Sequence, residues 1–161
     1  MSERICDVYW EGPFPWPQRK DRVKPHHVLY SLHGTHHLYG RDVLLYIGRT
    51  EDLDTRLDGH EWWVEDEFDP VQFKVASIGT HETPDAWRRA YDKMKSEFQY
   101  SKADPESVRQ VEGLLILAHQ PAYNTSSKGS ITVPRELRIF NTGKVGLLHP
   151  EVSYVYHEPY D

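Results

Sequence analysis

Short apolar runs of strand type occur three times in the first half of the chain. In the last of them, Val71, Phe73 and Val75 alternate with polar or small residues, which is the period of a strand with one buried face. The two earlier runs combine leucine and valine with tyrosine, and a polar segment with two glycines separates them. The pattern predicts a small central sheet of three antiparallel strands, Val28–Leu32, Val43–Ile47 and Val71–Ile78.

Apolar residues at helical spacing predict three helices that flank this sheet. Leu53 and Leu57 are four residues apart and form the buried edge of the first helix. Either Thr50 or Asp52 can cap that helix, since a side-chain oxygen there accepts from a free backbone N–H. The predicted helices span residues 52–60, 84–98 and 105–119. With the strands, they predict a mixed α/β (α+β) fold.

The two ends of the chain differ in composition from this centre. Alternate prolines in Glu11 to Gln18 predict a polyproline-like path without sheet hydrogen bonds, so we interpret residues 1–24 as a Pro/Trp-rich N-terminal arm. Residues 127–161 are interpreted as a β-rich C-terminal extension packed on the same domain. Its predicted strands are Ile131–Val133, Leu137–Phe140, Val145–Leu148 and Val152–Tyr156, with a hairpin loop at Asn141–Lys144.

Composition restricts the class of protein. A chain of 161 residues has room for a single hydrophobic core, and its one cysteine, Cys6, excludes an internal disulfide and a cysteine-based zinc site. No apolar run is long enough to span a membrane, and the N-terminus has no signal-peptide segment, so we expect a soluble cytoplasmic protein with no membrane partner. The sequence leaves the oligomeric state open.

Charge argues against strong non-specific binding to nucleic acid. The formal net charge is −6, and the acidic excess is greatest between Glu61 and Asp69. A local basic segment precedes the first predicted strand. Its cationic residues are Arg19, Lys20, Arg22 and Lys24.

The stretch from Tyr46 to His60, YIGRTEDLDTRLDGH, carries the candidate chemistry. Tyr46 lies at the end of a predicted strand, and the helix that follows begins a few residues later. Arg56 and His60 are four residues apart, so they project from the same face of that helix. The spacing predicts that these side chains lie in one region.

This pattern resembles the GIY-YIG nuclease superfamily over about residues 25–126. Tyr46-Ile47-Gly48 matches the second signature, and Val28-Leu29-Tyr30 stands in place of Gly-Ile-Tyr, with Val28 instead of the first glycine. Glu112, within VEGLLI, stands where a helical metal-binding glutamate belongs. Pro121-Ala122-Tyr123-Asn124 matches the closing element. Arg56-Leu57 and His60 match the arginine–leucine and histidine that follow the second signature, so five elements in the right order carry this resemblance.

The resemblance implies a metal-dependent endonuclease that hydrolyses DNA phosphodiester bonds. The implied catalytic residues, which we expect to converge on one shallow, solvent-accessible concavity, are Tyr30, Tyr46, Arg56, His60 and Glu112. Glu112 would bind the cofactor, a divalent cation, with Mg²⁺ favoured and Mn²⁺ as the alternative. Arg56 would clamp the phosphate, while the choice of general base between the two tyrosines stays open. Arg19, Lys20, Arg22, Lys24 and Asn124 are the predicted substrate-binding residues, Asn124 by holding the active-site backbone.

The same residues allow other interpretations. Glu112 lies at the edge of an apolar stripe, where a bound cation or a paired arginine would offset its desolvation. The chain could instead be a catalytically weak nucleic-acid-binding module or partner subunit, or an interaction domain that uses the Pro/Trp arm. The adjacent pairs His26-His27 and His36-His37 are expected to face solvent rather than bind a metal. One of Trp62 and Trp63 is expected to pack in the core; the other could stack on a base, although packing in the core or at its rim is favoured.

Overall fold

The computed structural model describes residues 4–50, 52–94 and 103–157. Within these ranges, six strands form one sheet in the order β3-β2-β4-β1-β5-β6. The strands are β1 (Arg4–Pro15), β2 (Leu29–His36), β3 (Gly40–Arg49), β4 (Gln72–His81), β5 (Leu137–Gly143) and β6 (Glu151–Ser153). The mixed α/β fold class is confirmed.

The three predicted strands lie within β2, β3 and β4, and β2 pairs antiparallel with both of the others. The prediction of a three-stranded, wholly antiparallel sheet is wrong. Strands β1, β5 and β6 extend the sheet beyond β4, and β1 and β5 run parallel to each other. The sheet is therefore larger than the one that the GIY-YIG resemblance implies.

The N-terminal segment supplies the main correction. The polyproline-like path predicted for Glu11 to Gln18 is wrong, because the chain pairs with β4 up to Pro15 and then forms a 3₁₀ helix at Trp16–Gln18. The first part of β1 is mostly buried, and Ile5, Val8 and Trp10 are fully so. Pro13 lies within a register shift between Glu11 and Phe14, and Pro15 is the last residue of the strand. Both positions are tolerable for residues that cannot donate to a ladder.

Five α-helices are present in the described ranges: α1 (Arg19–Arg22), α2 (Leu53–Asp58), α3 (Glu61–Val64), α4 (Pro84–Met94) and α5 (Pro105–His119). The prediction of α5 is confirmed at both ends. The Asp104 side chain caps it by accepting from the Ser107 N–H at 2.9 Å. The predicted helix 84–98 begins at Pro84 as expected, and its last residues, 95–98, lie outside the described residues. Short 3₁₀ helices form at Trp16–Gln18 and Tyr154–Tyr156.

The helix predicted over residues 52–60 is interrupted. It ends at Asp58, and a turn at Gly59 and His60 leads into α3. His60 is therefore positioned by a turn between two short helices, and its spacing from Arg56 no longer means a shared helical face.

The core has one apolar cluster on each face of the sheet. Helix α5 covers the first face, where Val111 and Leu115 pack with Trp10 and Ile78. The second face contains Tyr30, together with side chains from α2 and α3. The members of this second cluster include Trp16, Leu32, Leu45, Leu53, Leu57, Val64 and Phe73. The Tyr30 side chain thus lies within the apolar cluster of the second face.

Most of the predicted C-terminal details are wrong. Residues 141–143, predicted as part of a hairpin loop, continue β5, because they pair alongside Val8 to Trp10 of β1. The stretches 131–133 and 145–148 are not strands, and β6 ends at Ser153. Strands β5 and β6 nevertheless belong to the same sheet as the rest of the fold. In the part of the chain described, no helix has both the length and the apolar character needed to cross a bilayer.

Candidate functional site

The two signature tyrosines meet because of the register between β2 and β3. Tyr30 is opposite Gly48, and Leu32 is opposite Tyr46, so both tyrosines lie on the same face of the sheet. Their rings stack with centroids 5.9 Å apart and an interplanar angle of 24°. A side chain at position 48 would collide with this arrangement, since a Cβ there would lie less than 3.0 Å from the Tyr30 hydroxyl oxygen. Gly48 therefore provides the space that the Tyr30 ring occupies.

His60 lies against both tyrosines. Its Nε2 is 2.7 Å from the Tyr30 hydroxyl, and its ring centroid is 4.7 Å from that of Tyr46. The Trp63 indole N–H donates to His60 Nδ1 at 2.9 Å. Because an indole N–H can only donate, Nδ1 must be the unprotonated nitrogen, and Nε2–H then donates to the Tyr30 oxygen. Trp63 thus fixes the tautomer of His60.

Burial, helped by the nearby Arg56 charge, lowers the pKa of His60 to about 4. The imidazole is therefore neutral at pH 7, in agreement with the hydrogen bond from Trp63. In this state it is a donor to Tyr30 and has no vacant nitrogen to receive the tyrosine proton. His60 in this state therefore cannot accept the Tyr30 proton, whereas a direct contact between His60 and phosphate stays a prediction.

Tyr30 is fully buried. Burial raises its pKa well above the ordinary value, and Tyr46 raises it further, whereas the neighbouring Arg56 acts in the opposite direction. The Tyr30 side chain is therefore a neutral phenol at pH 7. The prediction of a shallow site exposing both tyrosines holds only for Tyr46, which is partly exposed.

Arg56 projects from α2 and is exposed to solvent. The hydroxyls of Tyr30 and Tyr46 interact with its guanidinium and raise its pKa, Tyr30 more strongly. The arginine is thus permanently charged, oriented by the two tyrosines and still accessible from outside.

Glu112 lies in the middle of α5 and pairs with an arginine. Arg49 Nε is 2.7 Å from the Glu112 Oε2, and 20% of the glutamate side chain is exposed. Burial raises the pKa of Glu112, and the Arg49 charge opposes that rise. The paired arginine considered from the sequence is therefore Arg49, whereas cation binding by Glu112 stays a prediction.

A polar cavity of about 410 Å³ brings Glu112 and Arg56 together with Tyr46. Its lining is rich in guanidinium and hydroxyl groups and includes Arg49, Arg109, Ser126, Ser127, Ser130 and Thr132. Arg109 is also bonded to Glu106 at 2.9 and 2.6 Å. Three guanidinium groups around one cavity create an environment that favours an anion.

Asn124 acts on the backbone of β3. Its side chain accepts from the Ile47 N–H and donates to the Ile47 carbonyl, both at 2.9 Å. The preceding residues continue this pairing, because Tyr123 N–H donates to the Leu45 carbonyl at 2.8 Å. The backbone-holding function predicted for Asn124 agrees with these contacts, whereas direct contact with substrate stays a prediction.

The basic segment divides into one partly buried and three exposed residues. Arg19 is bonded to Asp58 and Glu61 at 3.0 Å each, and only 11% of its side chain is exposed. Lys20, Arg22 and Lys24 are exposed. Arg19 therefore joins α1 to α2 and α3, which competes with the substrate contact predicted for it.

The expectation that the paired histidines face solvent is wrong for one member of each pair. His27 and His36 are buried. His27 Nε2 lies 2.5 Å from the Glu11 carboxylate, and His26 lies beside them, a grouping with the spacing of a metal site. However, the Lys24 backbone N–H donates to His27 Nδ1 at 2.9 Å, so the proton is on the nitrogen that faces Glu11. This tautomer makes His27 a hydrogen-bond donor rather than a ligand.

Sequence reasoning missed several residues around the site. Arg49 alternates away from Gly48 and therefore points to the face that α5 covers, a signal that strand periodicity could have provided. No sequence pattern indicated the cavity serines after residue 125, because the path of a loop positions them. No pattern indicated the role of Trp63 either, because that role depends on a side-chain hydrogen bond to His60.

Comparisons with protein-family models, with curated proteins and with solved structures give no match for this chain. The resemblance to the GIY-YIG nucleases therefore stays a prediction from the sequence motifs.

Proposed function

We propose that the chain is a metal-dependent endonuclease that hydrolyses DNA phosphodiester bonds through a GIY-YIG-type site. One observation carries the proposal: Tyr30 contacts Tyr46, Arg56 and His60, beside a cavity that Tyr46, Arg56 and Glu112 line. A purely structural cluster would not need a charged, exposed arginine oriented by two tyrosines.

Arg56 is the proposed phosphate clamp. Its guanidinium can hold two phosphate oxygens at once, and Arg49 and Arg109 line the same cavity. The serine hydroxyls supply further donors. These groups would stabilise the negative charge that develops on the phosphate as water attacks and the bond to the leaving oxygen breaks.

The two tyrosines receive different roles in this proposal. Tyr46 lines the cavity, so its hydroxyl can contact and orient the attacking water. Tyr30 is fully buried and neutral, and acts as a positioning residue that holds Arg56 and Tyr46. His60 supports it by donating to the Tyr30 oxygen.

Glu112 is the residue of the cavity that would hold a hard divalent cation, because it is the one carboxylate in the described lining and the cavity has room for water and phosphate oxygens. Such a cation would have to replace Arg49 as the positive partner of Glu112. Mg²⁺ is commonly held by one or two carboxylates while it keeps several waters, and Mn²⁺ is the alternative. Such an ion supplies charge stabilisation to the phosphate and to the leaving oxygen.

The test is incubation with supercoiled, linear and branched DNA, with and without Mg²⁺ or Mn²⁺. We expect cleavage that requires the cation and that Glu112→Gln abolishes, because the variant keeps the shape and loses the charge. Glu136→Gln, an exposed position outside the cavity lining, is the matched control and should cleave normally. Cation-independent cleavage, or normal cleavage by Glu112→Gln, would overturn the proposal.

A second candidate function is a nucleic-acid-binding module with little or no catalysis. The observation in its favour is the ion pair between Arg49 and Glu112, since it already neutralises the only carboxylate proposed to bind a cation. This candidate predicts that DNA binds in the presence of EDTA and that no cation produces cleavage, even after Arg49→Ala frees Glu112.

A further inference from the structure

A second cavity, of about 490 Å³, adjoins the proposed phosphate site. Tyr46 lines both cavities, and His60 lines the second one. We call the second cavity the aromatic pocket. Its walls are the rings of Tyr46, His60, Trp62, Trp63 and Tyr123, and Glu67 supplies its carboxylate.

Most polar groups of the aromatic pocket are used to hold its rings in place. Trp63 donates to His60 at 2.9 Å, and the Tyr123 hydroxyl donates to Glu67 at 3.2 Å. Trp63 and Tyr123 meet edge-to-face at 90°, with centroids 5.4 Å apart. The rings are therefore preorganised, and what they present to the pocket is mainly their apolar faces.

Trp62 is the exception to this packing, because 76% of its surface is exposed. A large exposed indole at the mouth of an aromatic cavity has the character of a stacking platform. Phe68 is even more exposed, at 95%, but it is not among the residues that line the aromatic pocket.

The charge of the aromatic pocket separates it from the phosphate site. The Glu67 carboxylate would repel a phosphate, and its oxygens can accept hydrogen bonds from the N–H groups of a base. The guanidinium groups of Arg49, Arg56 and Arg109 line the other cavity. One nucleotide can therefore divide between the two cavities, with its phosphate at Arg56 and its base beyond Tyr46.

We propose that the aromatic pocket receives one unpaired nucleobase, and that guanine is preferred over thymine. This inference rests on the proposed function, since it assigns a base to the strand whose phosphate that site would bind. A paired base cannot present both faces to stacking rings, so the substrate class is DNA with a single-stranded or extruded nucleotide at the cleavage position. Guanine is preferred because its ring N–H and amino group lie side by side and match the two oxygens of a carboxylate, whereas thymine offers a single N–H.

The test measures binding with EDTA present, so that it does not depend on cleavage. Labelled single strands of about twelve nucleotides, a length within the range that such sites cover, would carry one guanine or one thymine in an otherwise uniform sequence. Fluorescence polarisation gives the affinities for the wild type and for Trp62→Ala, Glu67→Gln and the matched control Phe68→Ala. A fully paired duplex of the same sequence is the comparison substrate.

We expect Trp62→Ala to weaken binding of the guanine strand by roughly 5- to 150-fold, the range for loss of one stacking platform. Phe68→Ala should bind as the wild type does. Glu67→Gln should keep the stacking and reduce the preference for guanine over thymine towards one. Equal affinities for Trp62→Ala and Phe68→Ala, or tighter binding of the paired duplex, would overturn the proposal.

A methylated ammonium group is the competing occupant, because aromatic rings with a carboxylate also bind such cations. Tetramethylammonium should not compete with the guanine strand; competition at submillimolar concentration would overturn the nucleobase assignment. The two proposals fail separately. Trp62-dependent binding without cleavage in any cation would refute the nuclease alone, whereas cleavage and binding that are indifferent to Trp62→Ala would refute the aromatic pocket alone.

Discussion

Gly48 determines where the Tyr30 hydroxyl can lie. A Cβ at position 48 would fall within 3.0 Å of both the hydroxyl oxygen and the Cζ of Tyr30, a distance that real contacts do not reach. The Tyr30 ring is enclosed by core packing, so it can yield only by moving its hydroxyl away from His60 and Arg56. In the Tyr-Ile-Gly sequence, the glycine is therefore required by the tyrosine of the neighbouring strand.

We predict that Gly48→Ala lowers the free energy of unfolding by about 1–3 kcal/mol, as expected for overpacking a filled core, and also impairs cleavage severely. Thermal unfolding and cleavage rate would be measured together. Gly129→Ala is the control, since a Cβ there meets nothing within 4 Å. Full activity of Gly48→Ala would show that the position of the Tyr30 hydroxyl does not matter to the reaction.

Arg56 is the residue that the proposed chemistry can least replace. We predict that Arg56→Ala reduces the single-turnover rate by about 10²–10³-fold, the usual loss for one positioned donor to a developing negative charge. The single-turnover rate of Arg56→Lys should lie between those of Arg56→Ala and the wild type, because the lysine ammonium keeps the charge but lacks the planar, two-donor geometry of the guanidinium. Arg88→Ala, at an exposed position of α4, should cleave normally. Similar rates for Arg56→Ala and Arg88→Ala would contradict the clamp.

The neutral state of His60 makes stability depend on pH. The pKa of His60 is about 4 in the folded protein, against 6.5 ordinarily. Between these two values the histidine is protonated in the unfolded chain and neutral in the folded protein. The free energy of unfolding is therefore unaffected by this group above pH 6.5 and decreases as the pH falls towards 4, by at most something on the order of 3 kcal/mol. Denaturant unfolding should show a steeper decline over this window in the wild type than in His60→Gln. Parallel declines would contradict the low pKa.

At the scale of single elements, periodicity predicted the elements with a clear repeat. Helix α5 has a capping aspartate, a proline at its first position and a continuous apolar stripe, so both of its ends were predictable. The predicted counterparts of β2, β3 and β4 are shorter than the observed strands. The ends of these strands consist of polar residues, which carry no apolar pattern and belong to the strand only because they pair with a neighbour.

Strand β1 shows why the remaining elements were missed. Its prolines suggested an arm outside the sheet, although they follow a buried run in which Val8 and Trp10 face the helix α5 side. Parallel pairing between β1 and β5 joins residues more than a hundred positions apart, and no local pattern encodes such a contact. The aromatic pocket was equally unpredictable, because one of its walls, Tyr123, comes from the segment that Asn124 attaches to the edge of β3.

The attachment of this segment to β3 can be tested directly. Asn124→Ala removes two hydrogen bonds to Ile47 and leaves the Ile47 N–H and C=O without these partners in a buried site. We predict a loss of about 1–3 kcal/mol in the free energy of unfolding. Because Tyr123 would lose its anchor, guanine-strand binding at the aromatic pocket should also weaken.

Thr125→Ala, the exposed neighbour of Asn124, serves as the control for both measurements and should change neither. If Asn124→Ala were as stable as Thr125→Ala, the two hydrogen bonds would not be what holds this segment to the sheet.

At the scale of the whole molecule, the proposed nuclease would be an acidic protein that has to hold an acidic substrate. With a net charge of −6, general attraction to DNA is weak, so binding has to come from local cations and from base contacts that salt affects less. In the two proposals above, the cavity arginines and the aromatic pocket would supply these two kinds of contact next to each other. Because one cavity would hold the phosphate and the other the base, we expect the protein to prefer structured or partly single-stranded DNA over uniform duplex DNA.

The exposed part of the basic segment is the remaining candidate for phosphate contacts. Lys20, Arg22 and Lys24 are exposed, whereas Arg19 is held by two carboxylates, so the two groups should respond differently to substitution. We predict that replacing the three exposed residues by glutamine weakens DNA binding and flattens the dependence of log K on log salt, by about one unit of slope for each phosphate that is no longer neutralised.

Glutamine replacements of Arg88, Arg89 and Lys93 on α4 give a control with the same change in net charge, and its salt slope should stay that of the wild type. Arg19→Gln should instead lower the melting temperature, because α1 would lose its ion pairs to α2 and α3, and should leave the salt slope nearly unchanged. The single-turnover rate of saturated complex should be the same in the triple variant and the wild type, since Arg56 and Glu112 are untouched. Equal salt slopes in the two triple variants would show that the basic segment does not bind the DNA backbone, and binding would then depend on the two cavities alone.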